Sequence, residues 1–177
     1  MLLKINQEED HMTKSLEERM AIVKDLIFNQ PVQLMTSPLK AGTLKNKCIG
    51  DSRTGYTVQL DNLSYRGVWV STIEKINLKV DGEEVPQDTM MLCLKGMKFP
   101  LCDTVSHTEV FWGATDTCIL SVNKIGGLSK GEHKLEIEIY KRGDFGHSYG
   151  EGEEGYENAT EFHTPTLYKD EAVFTVE

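Results

Sequence analysis

The chain has 177 residues and a mass of 20.0 kDa, with 39% apolar and 27% charged side chains. That balance describes a globular protein of one domain, with enough apolar residues for a sizeable core. The formal net charge of -9 argues against non-specific nucleic-acid binding, because no basic stripe offsets the acidic excess.

The N-terminal stretch MLLKINQEEDH lacks a positive segment followed by an apolar one, so no secretory signal is expected. Nor does any apolar run approach the roughly 20 residues needed to span a bilayer. Cys48, Cys93, Cys102 and Cys118 form no CxxC pair, which points to reduced thiols and a cytoplasmic location. In that compartment the sequons at Asn62 and Asn158 are chance matches.

One helix is expected. Ser15 and Glu18 have capping-box spacing, Leu16, Met20, Val23 and Ile27 then share one face, and Asn29 and Pro31 close the segment. The polar stretch from Ser37 to Gly55 reads as a connection with one short strand at most. Residues 1–50 thus form an N-terminal helix with an irregular arm, and residues 51–177 a β domain.

From Tyr56 onward the period is two. Ile76, Leu78 and Val80 alternate with Lys75, Asn77 and Lys79 before an Asp81-Gly82 turn. Leu135, Ile137 and Ile139 alternate with Lys134, Glu136 and Glu138 in the same way. Further strands are expected at Tyr56–Leu60, Gly67–Ile73, Met90–Leu94, Met97–Leu101, Cys118–Val122 and Ala172–Val176, with turns at Lys95-Gly96 and Gly126-Gly127. About seven or eight short strands without intervening helices define an all-β fold, an antiparallel β-sandwich or flattened barrel.

The segment KRGDFGHSYGEGEEGYENATEFH, residues 141–163, is the least ordinary. Asp144, His147, Glu151, Glu153, Glu154, Glu157, Glu161 and His163 offer donors for a divalent metal, but their spacing matches no metal template. Glycines between Gly143 and Gly155 make the backbone costly to order. The plainer reading is an acidic interface loop at 143–163, anchored by Phe145, His147, Tyr149, Tyr156 and Phe162. Asp144-Phe145-Gly146 spells a kinase motif, yet no nucleotide loop or HRD motif accompanies it. His133, within a strand between Glu132 and Lys134 and either in the solvent-facing half of the alternation or at its start, and His107, in a loop, read as surface or edge histidines. No GxSxG or activated cysteine supports nucleophilic catalysis.

The stretches SYRGVWVSTIEKINLKVDGEEV, MMLCLKGMKFPL, TEVFWGATDTCILSV and GGLSKGEHKLEIEIYKR resemble the small β subunit of bacterial C-glycoside deglycosidases. The resemblance rests on Tyr65-Arg66-Gly67, on the strand into Asp81-Gly82-Glu83-Glu84-Val85, and on Gly127-Leu128 with Gly131-Glu132-His133. It covers about residues 56–142 and the closing strand at 171–176.

That resemblance implies a hetero-oligomer in which this chain has no active site or cofactor of its own. The partner would be a catalytic α subunit with a sugar-isomerase-like barrel and a divalent metal of the Mn or Mg type. Its substrate would be a flavonoid-type C-glucoside already oxidised at the sugar 3-position. Tyr65 and Arg66 become interface or pocket candidates beside the 143–163 loop. Two rivals remain from the residues themselves. One is a stand-alone carbohydrate-binding module stacking sugars on Trp69 and Trp112, and the other is a small metal-dependent enzyme using the acidic loop.

Overall fold

The computed structural model describes residues 37–142 and 166–177, the backbone of Val32–Met35, and the isolated positions Ser15, Glu18 and Ala21. Twelve strands lie within that span: β1 Val32–Met35, β2 Lys45–Ile49, β3 Ser52–Leu60, β4 Val68–Trp69, β5 Ile73–Val80, β6 Glu83–Glu84, β7 Met90–Leu94, β8 Met97–Pro100, β9 Phe111–Trp112, β10 Cys118–Asn123, β11 Gly131–Lys141 and β12 Thr166–Val176. They form one sheet of order β1-β12-β11-β5-β6, a second of order β2-β3-β10-β7-β8, and the small ribbon β4-β9. Neither large sheet closes on itself, so the fold is a sandwich rather than a flattened barrel.

Period-two patterning produces this architecture. In β5 the inward Ile76, Leu78 and Val80 are buried, and in β11 so are Leu135, Ile137 and Ile139, which pair with them in register. From the second sheet Tyr56, Val58, Leu60, Leu92, Leu94, Leu120 and Val122 meet them in a single apolar cluster. Each fully buried aliphatic side chain contributes about 1.5–3 kcal/mol relative to exposure. The expected turns form where positive φ is required: Asp81 and Gly82 at 53° and 83°, Lys95 and Gly96 at 52° and 79°.

Several expectations need correction. The stretch from Ser37 to Gly55 is not loose: it holds β2 and the start of β3, joined in a hairpin whose turn contains residue 50. Leu39 and Leu44 are buried in the core, and the Leu39 N–H donates to Asp170 Oδ2 across to the other sheet (2.9 Å). β1 was not anticipated and pairs parallel with β12, so the first sheet is not wholly antiparallel. Gly67–Ile73 is not one strand, because a 3-10 turn at Val70–Thr72 separates β4 from β5 and hands the chain from ribbon to sheet. Lastly, β12 begins at Thr166 rather than at Ala172.

At the N-terminus the capping box forms reciprocally. The Ser15 N–H donates to Glu18 Oε2 (2.8 Å) and the Glu18 N–H to Ser15 Oγ (3.3 Å). The stripe Leu16, Met20, Val23 and Ile27 lies outside the described residues.

Candidate functional site

Tyr65, Arg66 and Gly67 occupy the turn before β4 and build an exposed aromatic corner. Gly67 has φ +95°, and a Cβ there would stand 2.5 Å from the Phe111 ring and 2.7 Å from the Trp112 carbonyl oxygen. Glycine therefore lets Phe111 lie against the backbone, where it meets Trp69 edge-on with centroids 4.9 Å apart. Trp69 is 46% exposed and Tyr65 81% exposed, with the Arg66 guanidinium 5.2 Å from the Tyr65 ring centre.

The corner is braced from behind. Lys95 donates to the Phe111 carbonyl (2.9 Å) and pairs with Asp116 (2.9 Å), linking it to the β7–β8 turn. Asp116 in turn accepts from the Gly113 N–H, and Lys95 holds its carboxyl below the usual carboxylate range. Asn62 donates to the carbonyls of Trp112 and Gly113 (2.9 and 3.1 Å), so this sequon asparagine is a structural tie.

Trp112, by contrast, is fully buried and donates its indole N–H to the Asp116 carbonyl (3.0 Å). It offers no face to a sugar, which removes one of the two stacking residues required by the carbohydrate-module reading.

His133 corrects a second expectation. It is 7% exposed, because it shares the odd-numbered inward face of β11 with Leu135, Ile137 and Ile139. Its Nδ1 faces Asp81 Oδ2 at 2.7 Å, and its Nε2 faces the Ser129 carbonyl at 3.0 Å. Both nitrogens can donate only when the ring is protonated, so the Asp81 bond, then the Ser129 bond, raise the His133 pKa. Asp81 is lowered by the same bond and by the Lys134 N–H. Ser129 Oγ lies 3.4 Å from Nε2, farther than the carbonyl that occupies that nitrogen. The group therefore acts as a clamp between the β5–β6 turn and the β10–β11 loop, not as a nucleophile and base.

The outer face of the first sheet bounds an open groove of about 1120 Å³. Its charges neutralise one another: Lys169 pairs with Glu138 (2.8 Å), Lys134 with Glu171 (2.9 Å) and Glu136 (3.2 Å), and Lys79 with Glu84 (3.9 Å). Lys169, then Asn77, hold the Glu138 carboxyl below its ordinary range against the effect of burial.

Of the residues singled out in the sequence, Tyr65 and Arg66 come together in the corner. Phe145, His147, Tyr149, Tyr156 and Phe162, with the acidic donors between them, lie outside the described residues. His107 is half-buried, edge-on to Phe99 and 3.3 Å from Asp103. Among the described residues, no group of three or more His, Cys, Asp or Glu is placed to hold a metal. All four cysteines are free, and burial pushes the Cys118 thiol up to about 12. No helix among the described residues is long and apolar enough to cross a membrane. The part played by Phe111 escaped the sequence reading. Its only sequence signal was adjacency to Trp112 in a short apolar pair.

Fold and corner together define a two-sheet β-sandwich that presents an aromatic surface patch. The family described as C-glycoside deglycosidase beta subunit matches residues 35–145, more than half of the chain. The chain belongs to that family. It is 29% identical over 83 residues to a C-glycoside deglycosidase beta subunit of Eubacterium cellulosolvens, a match covering 47% of this chain and 56% of the relative. The match thus spans little more than half the length of that relative.

Proposed function

We propose that this chain is the non-catalytic β subunit of a heteromeric C-glycoside deglycosidase, supporting assembly and framing part of the substrate pocket. The family match over residues 35–145 carries this reading. The substrate read here is a flavonoid-type C-glucoside bearing a ketone at the sugar 3-position. The ketone acidifies the proton on carbon 2, a base removes it, and the bond from the anomeric carbon to the aglycone breaks by elimination. The aglycone carbon leaves with the electron pair and is protonated. These steps belong to a barrel-shaped α subunit, whose divalent cation would polarise the ketone.

For this chain the corner of Tyr65, Arg66, Trp69 and Phe111 offers the aromatic and arginine side chains that anchor interfaces. The tyrosines of the 143–163 loop, Tyr149 and Tyr156, are assigned to the same assembly.

The test is reconstitution. The purified chain, the purified α subunit of the same organism and their mixture are assayed on a 3-keto C-glucoside, with size analysis of each. The expected result is inactivity of the chain alone and a stable complex with full turnover. Turnover by the chain alone, or failure of the two proteins to associate, overturns the reading.

A further inference from the structure

The two large sheets differ in charge in a way that composition hides. None of the chain's 28 Asp and Glu residues lies in β2, β3, β7, β8 or β10, the five strands of the second sheet. Carboxylates resume only outside the strands, in the segments that bound them, at Asp51, Asp61, Asp88, Asp103 and Asp116. The outer face of this sheet carries Lys45, Lys47 and Lys98 instead.

Register fixes what stands between them. Lys45, Thr57, Ser121 and Met91 form one row across the sheet. Gln59, Ile119, Cys93 and Lys98 form the next. Ile119, Met91 and Cys93 are half-buried, while Lys45 and Lys98 are exposed. Lys47 is held by neutral oxygens, Asn123 Oδ1 at 2.6 Å and Ser121 Oγ at 3.3 Å. Lys98 and Lys47, on opposite edge strands, both oppose the upward push of burial on the Cys93 thiol.

The first sheet is the internal comparison. Its outer lysines and glutamates pair with one another, as a face suited to water does. Lysine is a favoured guard against stray strand pairing, and Lys45, Lys47 and Lys98 stand on the edge strands β2 and β8. Edge protection does not, however, require the inner strands β3, β10 and β7 to lack carboxylates as they do. The edge strand β6 of the first sheet uses Glu83 and Glu84. An uncharged strip, apolar at Ile119, Met91 and Cys93 and flanked by lysines that have no carboxylate partner among the described residues, on a chain of net charge -9, suits a complementary acidic surface.

We propose that the outer face of β2-β3-β10-β7-β8 is the surface on which this chain docks its partner subunit, and that the partner presents there an apolar patch ringed by carboxylates. The proposal rests on the β-subunit reading above. The aromatic corner extends the same surface, since Lys95 ties Phe111 to the β7–β8 end of this sheet.

The experiment measures the affinity of the purified full chain for the purified α subunit of its own organism, at low and high salt. Three forms of the chain are compared: wild type, Lys45→Glu/Lys98→Glu, and the first-sheet control Lys75→Glu/Lys79→Glu. Circular dichroism establishes that each is folded, and sedimentation gives the state of the chain alone. The second-sheet reversal is expected to weaken binding at least tenfold and flatten its salt dependence, while the control binds within twofold of wild type. A wild-type complex indifferent to the second-sheet reversal overturns the surface and leaves the β-subunit reading standing. Absence of any wild-type complex overturns both. Self-association of the chain that the reversal abolishes, with the α complex intact, assigns the face to a second copy and also overturns the proposal.

Discussion

His133 Nδ1 lies 2.7 Å from Asp81 Oδ2, so the imidazole near the start of β11 is clamped to the turn that ends β5. Asp81 thus serves twice, as a positive-φ turn residue and as the acceptor for a buried ring. The His133 pKa is raised from 6.5, so its contribution is full below 6.5 and fades as pH rises through the raised folded value. The Asp81 pKa is lowered from 3.8, so its contribution is full above 3.8 and fades as pH falls through the lowered value. The clamp is therefore strongest between those two limits. Urea midpoints of wild type and Asp81→Asn should differ more at pH 5.5 than at pH 9, since asparagine keeps the turn and loses the charge. An equal gap at both values would refute the clamp.

Trp112 and Trp69 should separate fold from surface. Trp112→Ala empties a fully buried site and should cost about 3–5 kcal/mol in equilibrium unfolding. Trp69→Ala, at a residue 46% exposed, should leave stability within about 1 kcal/mol of wild type and weaken assembly with the α subunit. Intact assembly after Trp69→Ala would detach the aromatic corner from the interface.

Gly67→Ala should cost about 1–3 kcal/mol, because φ +95° strains an L side chain and the new Cβ meets the Phe111 ring at 2.5 Å. The ring must shift, so the surroundings of Trp69, and with them its emission, should change. An unaltered emission spectrum and melting curve would show that the close approach has no consequence.

Tyr149→Ala/Tyr156→Ala should weaken complex formation or raise KM in the reconstituted pair while leaving the melting temperature of the isolated chain unchanged. Strands β11 and β12 pair without a break from Gly131 opposite Val176 to Lys141 opposite Thr166. Replacing residues 143–163 by a short hairpin turn should therefore preserve the sandwich. Unchanged assembly and unchanged kinetics in both variants would remove the proposed role of the loop.

Strand legibility followed the burial pattern. Ile76, Leu78 and Val80 could be read because β5 has the core on one side and water on the other. Asp81-Gly82 and Lys95-Gly96 could be read because few residues tolerate positive φ. β2 could not, since Lys-Asn-Lys at a sheet edge carries no apolar alternation. Nor could β1, whose partner Thr166–Lys169 is remote in the chain. β12 was half legible: Phe174 and Val176 alternate cleanly, but Leu167 and Tyr168 are buried side by side and break the period.

Recognition of the site was similarly uneven. Tyr65-Arg66-Gly67 stood out as a motif, whereas the pairing of Trp69 with Phe111 is made by the register of β4 with β9, which no local pattern announces. Assigning His133 to the solvent side did not carry the alternation of Leu135, Ile137 and Ile139 back to the start of the strand. Counting back from Leu135 by two puts the ring inside.

The antiparallel run of β12 against β11 also sets a molecular ruler. β1 begins beside Thr166, whereas Val176 ends the same strand on the row of Gly131, roughly 33 Å farther along at about 3.3 Å per residue. Reporters attached at Val32 and at Glu177 therefore view opposite poles of the sandwich. A resonance-energy-transfer pair placed there would follow the opening of the whole first sheet in one signal.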